Sequence, residues 1–169
     1  MPSRRTLTLL AVVLVAALGA YLIFGASHER RVLTVIRELA AAVSAQPGDT
    51  EPSRARRVST ALRERTTESV VLSVPELGDV EGRAELEELL VNAAGVPLTL
   101  SVDASTVQID PSERRARATV TLTATFRYPG EERRDARAAS FELSRIGDAW
   151  RVSSVRIEAK SRVEPEARP

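Results

Sequence analysis

Cysteine is absent from this 169-residue chain. That removes disulfides, thiol nucleophiles, thiolate metal ligands and a lipidated N-terminal cysteine together. Histidine is almost as scarce, with His28 the only one. Zinc and iron sites normally draw on two or three His or Cys ligands, so no metal site is expected. Aromatic residues make up 4% of the chain and do not interleave with its basic residues. That pattern argues against nucleic-acid binding, in which bases stack on aromatic rings beside cationic groups. Net charge is also lacking. The formal value is +1, and beyond residue 26 there are 22 basic residues against 23 acidic ones. Such a balance supplies no long-range field to gather a polyanion. Lys160 is the single lysine; the preference for arginine reads as the codon bias of a GC-rich genome.

What the sequence does have is one long apolar run. Residues 6–26 contain no charge and follow Arg4 and Arg5. As a helix, at 1.5 Å per residue, the run covers about 31 Å, the hydrocarbon thickness of a bilayer. Tyr21 and Phe24 stand near one end, where rings favour the lipid–water interface. A cleaved signal peptide is the competing reading, but its apolar region is usually about 7–15 residues long. Cleavage after Leu18-Gly19-Ala20 would also leave Tyr21, Leu22, Ile23 and Phe24 exposed. The expectation is a short tail at 1–5 and an uncleaved single-pass transmembrane helix at 6–26. Arg4 and Arg5 favour a cytoplasmic N-terminus, although Arg30, Arg31 and Arg37 flank the other side. Large downstream domains translocate largely regardless of such charges. The C-terminal domain is therefore expected on the periplasmic or extracellular side of a bacterial inner membrane. His28, next to this segment, reads as an interfacial residue rather than a catalytic base.

The remainder reads as one α+β domain, 27–159, followed by a disordered tail at 160–169. Val32, Val35, Ile36, Leu39, Ala40 and Val43 form a single stripe at helical spacing, so a first helix follows the apolar run without an intervening proline. Gln46-Pro47-Gly48-Asp49 ends it. A second helix begins near Pro52 with Thr50 or Glu51 before it. Ala55, Val58, Ala61 and Leu62 form its narrow apolar face. Arg54, Arg56, Arg57, Arg63 and Arg65 crowd the rest, which reads as a solvated surface. A short strand at 70–74 follows, and then a third helix with Asp79 as its cap, carrying Leu86, Leu89, Leu90 and Ala93.

From Val96 the period changes to two. Four strands are expected at 97–110, 114–128, 133–145 and 149–159, divided by Pro111-Ser112, Pro129-Gly130 and Gly147-Asp148. In the second, Ala118, Val120, Leu122, Ala124, Phe126 and Tyr128 share one face, while Arg117, Thr119, Thr121, Thr123, Thr125 and Arg127 share the other. The phase slips in the first strand, from Leu100 and Val102 to Val107 and Ile109. It slips again in the last, from Trp150 and Val152 to Val155 and Ile157. Each slip predicts a β-bulge, near Ser105-Thr106 and Ser153-Ser154, and bulges bend a sheet. The fold class is thus a cone-shaped domain of three helices packed on a strongly bent antiparallel sheet, behind a transmembrane helix.

Two helices, a short strand, the PELGDVEGRAELEELL segment and four long strands ending in Gly147-Asp148-Ala149-Trp150-Arg151-Val152 resemble the nuclear transport factor 2 superfamily. It is also called cystatin-like or ketosteroid-isomerase-like. The resemblance implies a cone whose mouth holds acidic, His or Tyr groups in the enzymes of that superfamily. The inward face of the second strand carries no acid or His, and its only polar ring is Tyr128. Asp103 and Glu142 alternate with apolar neighbours and should point outward. Asp79 or Glu68 is the remaining candidate carboxylate at the mouth. No catalytic, cofactor-binding or metal-binding residue is therefore named, and the reading leans against an enzyme.

The resulting expectation is a non-catalytic, membrane-anchored binding or assembly module, pairing with a protein partner or a second copy through its Thr/Arg sheet face. The alternative is a small apolar ligand site or an isomerase- or cyclase-type enzyme. Its pocket would be lined by Leu100, Val120, Leu122, Phe126, Tyr128, Phe141 and Trp150.

Overall fold

The structure, a computed structural model, describes residues 28–110 and 112–159. The expected tail 1–5, the apolar segment 6–26 and the tail 160–169 lie outside the described residues. Among the described residues, no helix is long and apolar enough to cross a membrane.

The first helix, α1, covers residues 28–43. Its stripe is the one the spacing predicts, with Val32, Val35, Ile36 and Ala40 buried. The last carbonyls of a helix have no partner within it, and here α2 (Glu51–Arg65) supplies one. Arg54 Nε donates to Val43 O at 2.8 Å, and Nη1 of the same guanidinium reaches Ala94 O at 3.0 Å and also Val96 O. Arg57 donates to Ala42 O and Ser44 O while holding Asp49 through two bonds of 2.7 and 2.8 Å. These two arginines are thus not part of a solvated face. Arg54 is only 4% exposed, because one planar fork of donors satisfies three carbonyls that would otherwise be stranded. Asp49 is held down to about 2, chiefly by the hydrogen bonds from Arg57. Thr50 caps α2, its side chain accepting from Ser53 N while Ser53 Oγ accepts from Thr50 N. The α2 side chains Val58 and Leu62 enter the core.

β1 (Thr66–Val74) continues from α2 and turns back into β2 (Gly78–Glu81), a four-residue strand. Asp79 lies inside that strand and does not cap a helix. Val80, its neighbour, is buried, which fixes the hairpin against the core. The third helix, α3 (Arg83–Asn92), starts instead after Gly82, whose φ of 86° suits a residue without Cβ.

The four long strands stand where the alternation puts them: β3 (Leu98–Ile109), β4 (Arg115–Tyr128), β5 (Glu131–Ile146) and β6 (Ala149–Ile157). The sheet order is β2-β1-β6-β5-β4-β3. β1 runs parallel to β6, so the sheet is mixed and not wholly antiparallel as expected. No turn joins β1 to β6, so nothing local in the sequence encodes that pairing or its direction. Both bulges occur. Asp103 pairs Thr121 and Ser105 pairs Val120, leaving residue 104 unmatched. Glu142 pairs Ser154 and Leu143 pairs Val152, leaving Ser153 unmatched, and Ser153 Oγ donates to Glu142 O at 3.1 Å. Each extra residue returns the following side chains to the inward face.

The helices cover one face of the sheet. Ala116, Ala118, Val120, Phe141, Leu143, Trp150 and Val152 meet Val32, Ile36, Val58 and Leu62 there in one core.

Candidate functional site

Directly paired residues of neighbouring strands share a face, so the register assigns every side chain to the helix-covered or the open side. On the covered side the expected pocket residues separate into two groups. Val120, Phe141 and Trp150 are sealed in the core, with Trp150 only 2% exposed. Leu100, Leu122 and Phe126 are half-buried further along the strands, and Tyr128 is 50% exposed at the end of β4. Trp150 pairs with Arg145 at one end of the sheet, whereas Phe126 pairs with Leu98 and Arg133 toward the other. At about 3.3 Å per residue the two rings are too far apart to line one small pocket.

The second group has charged neighbours that the sequence reading missed. Arg137 pairs Leu122, Asp135 pairs Ala124 and Arg133 pairs Phe126, so all three belong to the inward side of β5. Arg137 Nη1 contacts Glu76 Oε1 at 2.6 Å, while its Nη2 contacts Asp135 Oδ2 at 2.9 Å. The β1–β2 turn is thereby tied to β5 on the helix-covered side of the sheet. Hydrogen bonding to Glu76 and then to Asp135 raises the Arg137 guanidinium above its usual value. The same bond from Arg137 lowers the Glu76 carboxyl. A carboxylate stabilised in this way is a weaker proton acceptor, so the cluster is better built to hold its hairpin, or an ion, than to abstract a proton. A signal existed in the sequence: counting back in twos from Phe141 reaches Ala139, Arg137 and Asp135. Asp79 and Glu68 are exposed, and Glu68 lies 3.4 Å from Arg83. Asp103 and Glu142 point to the open side, as the alternation predicts.

The other end of β5, beside the start of α1, holds a second cluster. His28, read from the sequence as interfacial, is 8% exposed and packs edge-on to Trp150 at 6.1 Å between ring centres. Its Nε2 lies 3.6 Å from Glu113 Oε2, which is also 3.9 Å from Arg145 Nη1. Glu113 adopts φ 52°, the left-handed region that non-glycine residues seldom occupy. His28 Nδ1 and Trp150 Nε1 are buried without a hydrogen-bond partner. Among the described residues, no group of three or more His, Asp and Glu side chains is placed to hold a metal ion.

The open side of the sheet is different in kind. Thr119, Thr121 and Thr123 of β4 pair with Ser140, Ala138 and Ala136 of β5. Among the described residues, no helix covers this centre of small side chains. Ion pairs border it at both ends: Arg117 with Glu142 at 2.7 Å, and Glu132 with Arg134 at 2.7 Å and Arg127 at 3.4 Å. A groove of about 570 Å³ beside the first pair is lined by Gln108, Arg115, Ser144 and the bulge residue Ser153.

No protein-family model matches this chain, and no curated protein matches it. Solved structures do. An NTF2-like protein with a cystatin-like fold from Novosphingobium aromaticivorans superposes with a TM-score of 0.65 at 15% identity, over 89% of this chain and 90% of that one. A nuclear transport factor 2 (NTF2-like) superfamily protein from Salmonella enterica gives 0.65 at 14% identity, over 86% and 99%. The association domain of C. elegans CaMKII gives 0.61 at 17% identity, over 79% and 96%. At these identities the likeness establishes the NTF2-like, cystatin-like fold and nothing about activity.

Proposed function

We propose that this chain is a non-catalytic assembly module, held at the outer surface of a bacterial inner membrane by residues 6–26, that pairs with a second copy through the open face of its sheet. The observation that carries this reading is the composition of that face. Threonine, serine and alanine at its centre let two sheets approach closely, and Arg117, Arg127 and Arg134 at its borders are matched by glutamates of the same chain, while Arg156 stands exposed beside Ser140. A face of β3 to β6 measuring four strands by about 14 residues offers roughly 850 Å² per copy at ordinary strand spacing. That is the size of one side of a standard specific interface, about 800 Å². Two sheets meeting face to face pack about 10 Å apart, a separation that short side chains fill. The association domain of C. elegans CaMKII, similar in fold, lends support by its name alone.

The test is the mass of the detergent-solubilised full chain by light scattering, before and after Thr121→Arg and Ala138→Arg. A dimer that becomes a folded monomer in both variants supports the proposal. A wild-type protein that stays monomeric at micromolar concentration sinks it.

The second reading, a small apolar ligand on the concave face, rests on half-buried Leu122 and Phe126 beside Arg137. Such a ligand would carry an anionic group toward that guanidinium. Its measure is a shift in Phe126→Trp fluorescence on titration with fatty acids and steroids; no response across that panel removes it.

A further inference from the structure

The end of the domain that holds His28 and Trp150 lies close in the chain to the apolar run. Apolar residues run to Ala26, and His28 is already packed on Trp150. Two Cα–Cα steps separate these positions, at most about 7 Å of chain. The polar layer on each side of a bilayer core is only about 5–7 Å deep. No linker remains to hold the domain away from the lipid.

Three pieces of the chain converge at that end. The start of α1 meets the β3–β4 turn through His28 and Glu113, and the turn meets the end of β5 through Arg145 N donating to Arg114 O at 2.8 Å. β5 ends there in Ile146, which pairs with Ala149 and is 52% exposed although it is among the most apolar side chains in the domain. Arg30, Arg31 and Arg114, close in the chain to His28 and Glu113, are exposed at the same end. Side chains on a helix lean toward its N-terminus, so Arg30 and Arg31 lean back toward the start of α1. Of the acids at that end, Glu113 faces His28 and Arg145, Asp148 lies 3.2 Å from Arg145, and Glu29 is exposed beside Arg30. The arginines are left to face lipid phosphates.

We infer that this end of the domain is a bilayer contact surface, with Ile146 seated at the boundary between headgroups and acyl chains and Arg30, Arg31 and Arg114 on headgroup phosphates. The inference rests on the anchored reading above and goes beyond it, because it fixes which end of the domain touches lipid. A side chain there serves as a second attachment that stops the domain swinging about residue 27. The opposite end, with exposed Leu77 in the β1–β2 turn, points away. β5 separates the two by about nine residues, roughly 30 Å.

The absence of cysteine makes a clean test available. Full-length Ile146→Cys and Leu77→Cys variants are each labelled with an environment-sensitive fluorophore and reconstituted into vesicles of phosphatidylcholine and phosphatidylglycerol. Flotation comes first, then quenching by lipids carrying a nitroxide near the headgroup end of the acyl chain. Unchanged Trp150 emission in detergent checks that each variant is folded. The expected result is flotation of both, with the label at residue 146 quenched at least threefold more than that at residue 77. Flotation with equal quenching, or stronger quenching at 77, overturns the orientation and leaves the anchor standing. Failure to float overturns the anchor and the contact surface with it.

Discussion

Arg54 is the residue whose replacement tests the packing argument most directly. In Arg54→Met the aliphatic bulk is kept and the donors are lost. Val43 O, Ala94 O and Val96 O then lose the guanidinium that now reaches all three. A buried carbonyl left without a partner costs about 1–3 kcal/mol. Ala94 is buried, while Val43 and Val96 are half-buried and can be partly rehydrated. One full penalty and two partial ones amount to about 4 kcal/mol. Against this stands the relief of burying no charge, since desolvation pushes the Arg54 guanidinium below its usual value. A net loss of about 3 kcal/mol is expected, a large part of the 5–15 kcal/mol of a typical domain. The measurement is urea unfolding of the detergent-solubilised chain, read by Trp150, the only tryptophan. Arg54→Lys should recover less than half of the loss, because one ammonium cannot reach three carbonyls in a fork. A loss under about 1 kcal/mol in Arg54→Met would falsify the view that this guanidinium joins α1, α2 and the α3–β3 loop.

Three further outcomes are expected. Asp49 sits at about 2 because Arg57 hydrogen-bonds its ionised form; its unfolded value is near 3.9. A depressed carboxyl contributes stability above the unfolded value and loses it as pH falls toward the folded one. Urea midpoints should therefore drop between about pH 4 and 2, less steeply in Asp49→Asn, and equal slopes would contradict the pairing. His28→Leu removes a buried ring nitrogen that has no partner, so stability should rise by about 1 kcal/mol; a fall in the thermal midpoint would give the Glu113 contact structural weight instead. Arg137→Met releases the β1–β2 turn from β5, so amide exchange at residues 76–78 should quicken severalfold with little change in global unfolding.

The sequence reading reached the strands because half-covered strands write their own alternation, and it reached both bulges because a bulge breaks that alternation visibly. Val107 and Ile109 resume on odd numbers only if one residue has been left out of register. What stayed hidden was of two kinds. β2 and the parallel β1–β6 pairing depend on partners far away in the chain, and four residues such as Gly78-Asp79-Val80-Glu81 carry too little pattern to separate a strand from a helix cap. Arg54 was misread for another reason, because polarity was taken as exposure; Asp135 and Arg137 were passed over, and His28 was read only from its place beside the apolar run. Arg54 is buried because carbonyls at the end of α1 need donors. Arg137 lies on the inward side because period two holds along β5 whether or not the residue is apolar. The Leu100-to-Trp150 pocket was drawn from shared facing alone, and facing does not measure distance along a strand.

The two proposed surfaces constrain one another. With its His28 end on the bilayer, the domain stands with β3 to β6 rising from the membrane, so the open face looks sideways along it. Two copies in one membrane can then meet face to face only about a two-fold axis parallel to the membrane normal. Such an axis keeps each residue at the height of its own counterpart. Thr121 of one copy must lie level with Thr121 of the next, and Arg117 cannot lie level with Arg127. Confinement of both anchors to the same surface raises their effective concentration, so even a weak sheet contact would be occupied there. Single cysteines at Thr121 should therefore cross-link in vesicles, whereas a mixture of Arg117→Cys and Arg127→Cys chains should give no mixed product. A mixed product as abundant as the Thr121 dimer would require an antiparallel pair, with one His28 end pointing away from the lipid. The contact surface and the sheet interface would then exclude each other.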